Sequence, residues 1–181
     1  MTKIFIVSPV SGKLRTAEEW KKEGGKNVKK AEYIVIVPGD GSHPFLICKK
    51  TLGEFPWKEA VEKVGDFFMG DTEGNVVKGF TLPTRKQFID IREARACGLE
   101  QVLEMIGGDK LLKNFRNGEW FWTSEVWVKA GTSAEDYEKE KESASYAWYS
   151  SGFYGYAYGS SMCYGNLALP LLLYKFRDSE Q

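Results

Sequence analysis

This chain is poor in the side chains that most enzymes and metal proteins rely on. It has one histidine, His43, and three cysteines, Cys48, Cys97 and Cys163, far apart and odd in number. A Ser–His or Cys–His catalytic pair therefore has a single candidate base, and no disulfide framework is legible. Net charge is also lacking: 25 Lys and Arg balance 25 Asp and Glu. That balance argues against a general nucleic-acid or membrane-surface binder, which would carry a basic excess. Nor is there a long hydrophobic run. The longest near the end, LALPLLLY (Leu167–Tyr174), is broken by Pro170 and is too short to span a bilayer. At the N-terminus KIFIV is too short for a secretory core, so the expected location is the cytoplasm or an assembled phage or surface particle.

The most informative absence lies late in the chain. From Ser143 to Tyr174 there is no Asp, Glu, Lys or Arg, although 28% of the whole chain is charged. Six of the nine tyrosines fall in Ser143–Gly165, mixed with Ser, Gly and Ala. Such a mixture makes a poor core, because each buried Tyr hydroxyl needs a partner. It makes a good contact surface, since Tyr offers large area at low entropy cost and Ser and Gly bond adaptably. Alternation along a strand would send Tyr154, Tyr156 and Tyr158 to one face. The competing reading is a twisted hairpin whose stacked aromatics only hold the fold together.

At 181 residues the chain fits one domain, or one domain with a small appendage. KIFIVS (3–8) reads as a strand, and Thr16 with Glu19 forms a capping box that opens a helix. Ala31–Val37 and Pro44–Lys50 read as a hairpin across the turn GDGSH. Pro56 starts a helix with Trp57, Ala60, Val61, Val64 and Phe67 or Phe68 on one face. Thr84 and Gln87 make the clearest capping box, for a helix that ends near Cys97; a second follows from Leu99 to Gly107. Gly79–Leu82, EWFWTS (119–124), Tyr146–Ser150, Tyr154–Tyr158 and Ala168–Phe176 read as strands. Lys129–Glu142 reads as a solvated loop or short exposed helix. Helices come early and strands late, which points to an α+β fold.

LPTRKQFIDI (82–91), IGGD (106–109), FWTSE (121–125) and AWY (147–149) occur in an order that resembles C-type-lectin-like domains related to formylglycine-generating enzyme. The nearer likeness is to gut-bacterial and phage proteins, among them the variable proteins of diversity-generating retroelements. It covers roughly residues 57–176. The resemblance implies a lectin-like body of two main helices and short antiparallel strands, over 51–181. Residues 1–50 would then be an extension packed on that body. It also implies a ligand site on the last strands. Diversified members favour codons that cannot encode Trp, Met, Lys, Glu or Gln, and Tyr149–Ser161 contains none of those five.

The expected function is recognition of a protein or glycan partner on a host or cell surface, as in a retroelement-diversified or phage-type adhesin. A structural or assembly module is the alternative, and the chain is compatible with an oligomer. Contact residues are expected to be Tyr149, Ser151, Phe153, Tyr154, Tyr156, Tyr158, Ser160, Ser161 and Tyr164. Trp122 and Trp148 are assigned to the core beneath them. Trp120 and Trp122 share one strand face, where sugar stacking competes with core packing; packing is preferred because Trp is highly buried on average. No metal and no cofactor are expected. Calcium needs six to eight oxygen ligands, and the site stretch has no carboxylate; Asp71, Glu73 and Asn75 read as a plain turn. Catalysis is not expected either. A formylglycine-generating activity needs a reactive cysteine pair, and Cys163 stands alone in the C-terminal part.

Overall fold

The computed structural model describes residues 1–8, 12–23, 31–70, 74, 76–111, 119–151 and 157–176. Those residues form a mixed α/β structure with five helices and three sheets. Strands β1 (Lys3–Val7), β2 (Leu14–Arg15), β3 (Tyr33–Val37), β4 (Phe45–Cys48) and β12 (Leu171–Leu173) make the first sheet, in the order β12-β4-β3-β1-β2. All its pairings are antiparallel. Both faces are apolar. Ile6, Ile34, Ile36, Phe45 and Ile47 face a core shared with the helices, and the alternate residues Val7, Val35, Leu46 and Cys48 face a second cluster. That period-two split is why these strands read as near-continuous hydrophobic runs.

The helices start where their caps dictate. Thr16 closes a capping box for α1 (Ala17–Lys22), and Thr84 does the same for α3 (Arg85–Ala96). Each such cap is worth about 1 kcal/mol. Gly98, in the left-handed region at φ 95°, separates α3 from α4 (Leu99–Met105). Helix α2 (Trp57–Asp66) buries Ala60 and Val64, but Val61 is exposed, contrary to expectation. It lies one turn after Trp57, itself only partly buried, at the solvent edge of the stripe centred on Ala60 and Val64. The charged excursion forms α5 (Ala134–Ser143), N-capped by Ser133, with no buried residue.

The second sheet carries the aromatic tail. Its order is β10-β9-β8-β11-β5, built from β5 (Glu54–Phe55), β8 (Trp120–Val126), β9 (Tyr146–Ser151), β10 (Ala157–Ser161) and β11 (Asn166–Leu167). A small hairpin, β6 (Met69–Gly70) with β7 (Val76–Val77), completes the strands. The expected Gly79–Leu82 strand reduces to one bridge, Thr81 to Leu171. The expected Ala168–Phe176 strand is instead split. Leu167 pairs in the second sheet, Leu171 pairs with Ile47 in the first, and Pro170 between them has no N–H to donate to a ladder. The chain thus crosses from one sheet to the other within four residues, over a buried Ala168-Leu169-Pro170.

Candidate functional site

The outer three strands of the second sheet set the geometry. Strand β9 pairs antiparallel with both neighbours: Trp122 lies opposite Tyr149, and Tyr149 opposite Tyr158. Trp120, two residues before Trp122, projects from the same face. The four rings form a connected ladder. Trp120 and Tyr149 meet edge-on at 4.8 Å between centroids, Trp120 and Tyr158 at 6.1 Å, Tyr149 and Tyr158 at 6.1 Å, and Trp122 and Tyr149 at 6.3 Å. These are favoured offset and edge-to-face separations, each worth about 0.5–1.5 kcal/mol beyond area burial.

The ladder runs from core to solvent. Trp122 is fully buried, and its indole N–H donates to the Phe55 carbonyl at 2.7 Å. Beside it the Trp57 indole donates to the Thr123 carbonyl at 2.8 Å. These two bonds tie β5 and α2 to β8 and fix the base of the ladder. Tyr149 is half-buried, while Trp120 is 37% and Tyr158 49% exposed. The outer rings therefore combine rigidity from ring-on-ring packing with free area.

The expected contact residues divide as follows. Tyr149, Tyr158 and Ser160 share the ladder face. Tyr164 is 65% exposed in the turn after β10, where its N–H donates to the Ser161 carbonyl at 3.2 Å. Ser161 lies on the opposite face, with Oγ 3.1 Å from Cys163 Sγ. Ser151 corrects the expectation: it is only 3% exposed. Its short side chain stands opposite Trp120 in the register and does not reach past its large neighbours. Phe153, Tyr154 and Tyr156 lie outside the described residues, as do Asp71, Glu73 and Asn75.

The core packing expected of Trp120 holds only in part: at the start of β8 it is 37% exposed. Trp148 was expected in the core, yet it is only partly buried. It faces away from the ladder, and the Arg85 guanidinium lies 4.5 Å over its ring.

His43 is an exposed residue between β3 and β4 whose Nδ1 lies 3.1 Å from the Pro44 carbonyl oxygen. Burial pushes the Cys48 thiol up to about 12, and its Sγ contacts Met69 Sδ at 3.6 Å. Among the described residues no three His, Cys, Asp or Glu side chains are grouped to hold a metal ion. No described helix is long and apolar enough to cross a membrane. The chain matches no protein-family model and no curated protein sequence.

Proposed function

We propose that this chain is a recognition module of C-type-lectin-like type, which binds a protein or glycan on a host or cell surface through the Trp120–Tyr149–Tyr158 ladder with Ser160 and Tyr164. The observation that carries this reading is the graded ladder: Trp122 is sealed in the core while Trp120 and Tyr158 keep more than a third of their area in solvent. A hairpin whose rings served only to stabilise the fold would gain most by burying them. Rigid aromatics on a strand face, flanked by serines and free of charge, match the composition of contact surfaces. Recognition in place of catalysis is the reading that suits a site with no carboxylate, histidine or metal cluster among its described residues.

The test is binding of the purified chain to a glycan array and to a displayed peptide library, repeated with Trp120→Ala and Tyr158→Ala. A ligand whose affinity falls about tenfold or more in either variant, under conditions where the variant stays folded, supports the reading. Loss of folding in both variants, with no ligand found for the parent chain, counts against it. Diversification of 149–161 is part of the same proposal. An adenine-biased repeat of this coding stretch beside a reverse-transcriptase gene would support that part, and its absence would remove it.

One observation favours assembly as a second reading. Strand β10 ends the sheet order and carries no charge along Ala157–Ser161. Edge strands are usually blunted by charge or proline, so this edge suits pairing with another subunit. Light scattering of the parent chain and of Ser160→Lys separates the two readings. A tight oligomer abolished by the lysine favours assembly; a monomer in both cases favours recognition.

A further inference from the structure

On the opposite face of the same strands lies a second constellation, built from other residues and independent of the ladder. We propose that it is a binding site for a neutral saccharide. A cleft of about 450 Å³ opens between the start of α3, the β8–α5 connection and β9; Arg85, Glu125, Trp127, Lys129, Tyr137 and Trp148 line it.

Three features pre-organise this cleft. First, the β8–β9 register shifts between Trp122 and Val126. Such a bulge re-aims side chains, and here Glu125 meets the first turn of α3. Its Oε2 accepts from the Arg85 backbone N–H at 2.6 Å, and its Oε1 accepts from Nε at 3.1 Å and forms an ion pair with Nη2 at the same distance. Second, the guanidinium so held lies over the Trp148 ring, 4.5 Å from its centroid. Third, the Trp127 ring packs onto the bare backbone of Gly159; a Cβ there would lie 2.8 Å from the ring. Trp127 is thereby seated on β10 although 42% of it remains exposed, and it meets Tyr146 edge-on at 6.1 Å.

The chemistry selects the ligand class. An organic cation would suit aromatic faces but would meet Arg85 and Lys129. An anion would stand against the Glu125 carboxylate, which already pairs with Arg85. A neutral polyol needs neither. Adjacent hydroxyls can donate to the remaining lone pairs of Glu125 and accept from the Arg85 N–H groups not spent on it. The C–H face of a pyranose ring meanwhile covers Trp127 and loses apolar surface to water. A cleft of this volume, with the rings of Trp127, Tyr137 and Trp148 beside a few fixed polar groups, is of the size of a small-ligand site.

The test is two-dimensional NMR of the indole N–H signals, which give Trp127 and Trp148 separate reporters. The probes are neutral hexopyranose oligomers, hexuronate oligomers and a proline-rich peptide, each at about 10 mM, well above a millimolar Kd. We expect a neutral oligosaccharide to shift both signals saturably. Arg85→Lys keeps the charge but loses the planar fork, and Gly159→Ala displaces the Trp127 ring; each should weaken binding at least tenfold while the chain stays folded. Val76→Ala, exposed on β7 in the separate small sheet, should leave it unchanged. Unmoved signals with every neutral sugar would overturn the proposal. So would tighter binding of the uronates or the peptide, or equal sugar affinity in Arg85→Lys.

Discussion

Tyr158 and Trp122 stand two strands apart on one sheet face, and solvent separates their roles. Trp122 has no exposed area and an anchored indole N–H, so Trp122→Ala should cost about 3–5 kcal/mol of stability in a denaturant titration. Tyr158→Ala removes a ring that is half in water and meets two others, Trp120 and Tyr149; the same titration should show about 1–2 kcal/mol, the contribution of two partly exposed ring contacts. Equal costs would mean that the outer rings act as core. Much of this contrast was legible from composition: phenols without charges signalled a surface, and Tyr149, Tyr158 and Tyr164 do keep solvent contact. Which serine faces out was not legible, because Ser151 and Ser160 differ only in register and in the size of their neighbours. Trp120 and Trp148 are less buried than expected for a related reason, since tryptophan identity says nothing of whether a strand has just begun or which face a helix leaves open.

At the scale of elements, α3 docks on the first sheet partly through charge. Lys86 Nζ bridges Asp90, one turn on, and Asp40 in the β3–β4 turn, the latter at 2.8 Å. Its partners Asp40 and then Asp90 raise the Lys86 amine above its ordinary value. Lys86 and then Ser42 hold the Asp40 carboxyl well below the usual carboxylate range. Asp90 goes the other way: burial of its carboxylate outweighs Lys86 and raises it above 3.8. The signs then differ. For Asp40 the native state binds fewer protons than the unfolded chain, so its stabilisation is present above about pH 4 and fades in acid. For Asp90 the native state binds more, so stability falls as pH climbs past 3.8 towards its raised value. Asp40→Asn should therefore lower the melting temperature at pH 7 and have little effect in strong acid. Asp90→Asn should flatten the decline above pH 4, which thermal melts from pH 3 to 7 would check. The caps on α1 and α3 were legible from Thr16–Glu19 and Thr84–Gln87, because a capping box is written in four consecutive residues. The Asp40–Lys86–Asp90 bridge was not, because its partners are joined only by tertiary folding.

In the whole molecule, the last strands belong to two sheets at once. Leu171 is buried, pairs with Ile47 in the first sheet, and is bridged to Thr81. Leu171→Ala should cost about 2–5 kcal/mol. Because Leu167 pairs with Phe121 only four residues earlier, the damage should spread to the ladder; the indole signals of Trp120 and Trp122 would report it. Unperturbed signals in a destabilised variant would mean that the two sheets respond separately. The mixed α/β class was legible from the order of periodic segments. The crossing from one sheet to the other at Pro170 was not, since LALPLLLY offers one apolar run and no cue to two partners.

The central claim, that the charge-free tail presents its rings to solvent over a sealed tryptophan, is tested most directly by hydroxyl-radical footprinting read by mass spectrometry. On the native protein, Tyr158, Tyr164 and Trp120 should be oxidised fast, Tyr149 more slowly, and Trp122 only on unfolding. Protection of Trp120 and Tyr158 equal to that of Trp122 would contradict the claim and leave a stabilising hairpin in place of a recognition surface.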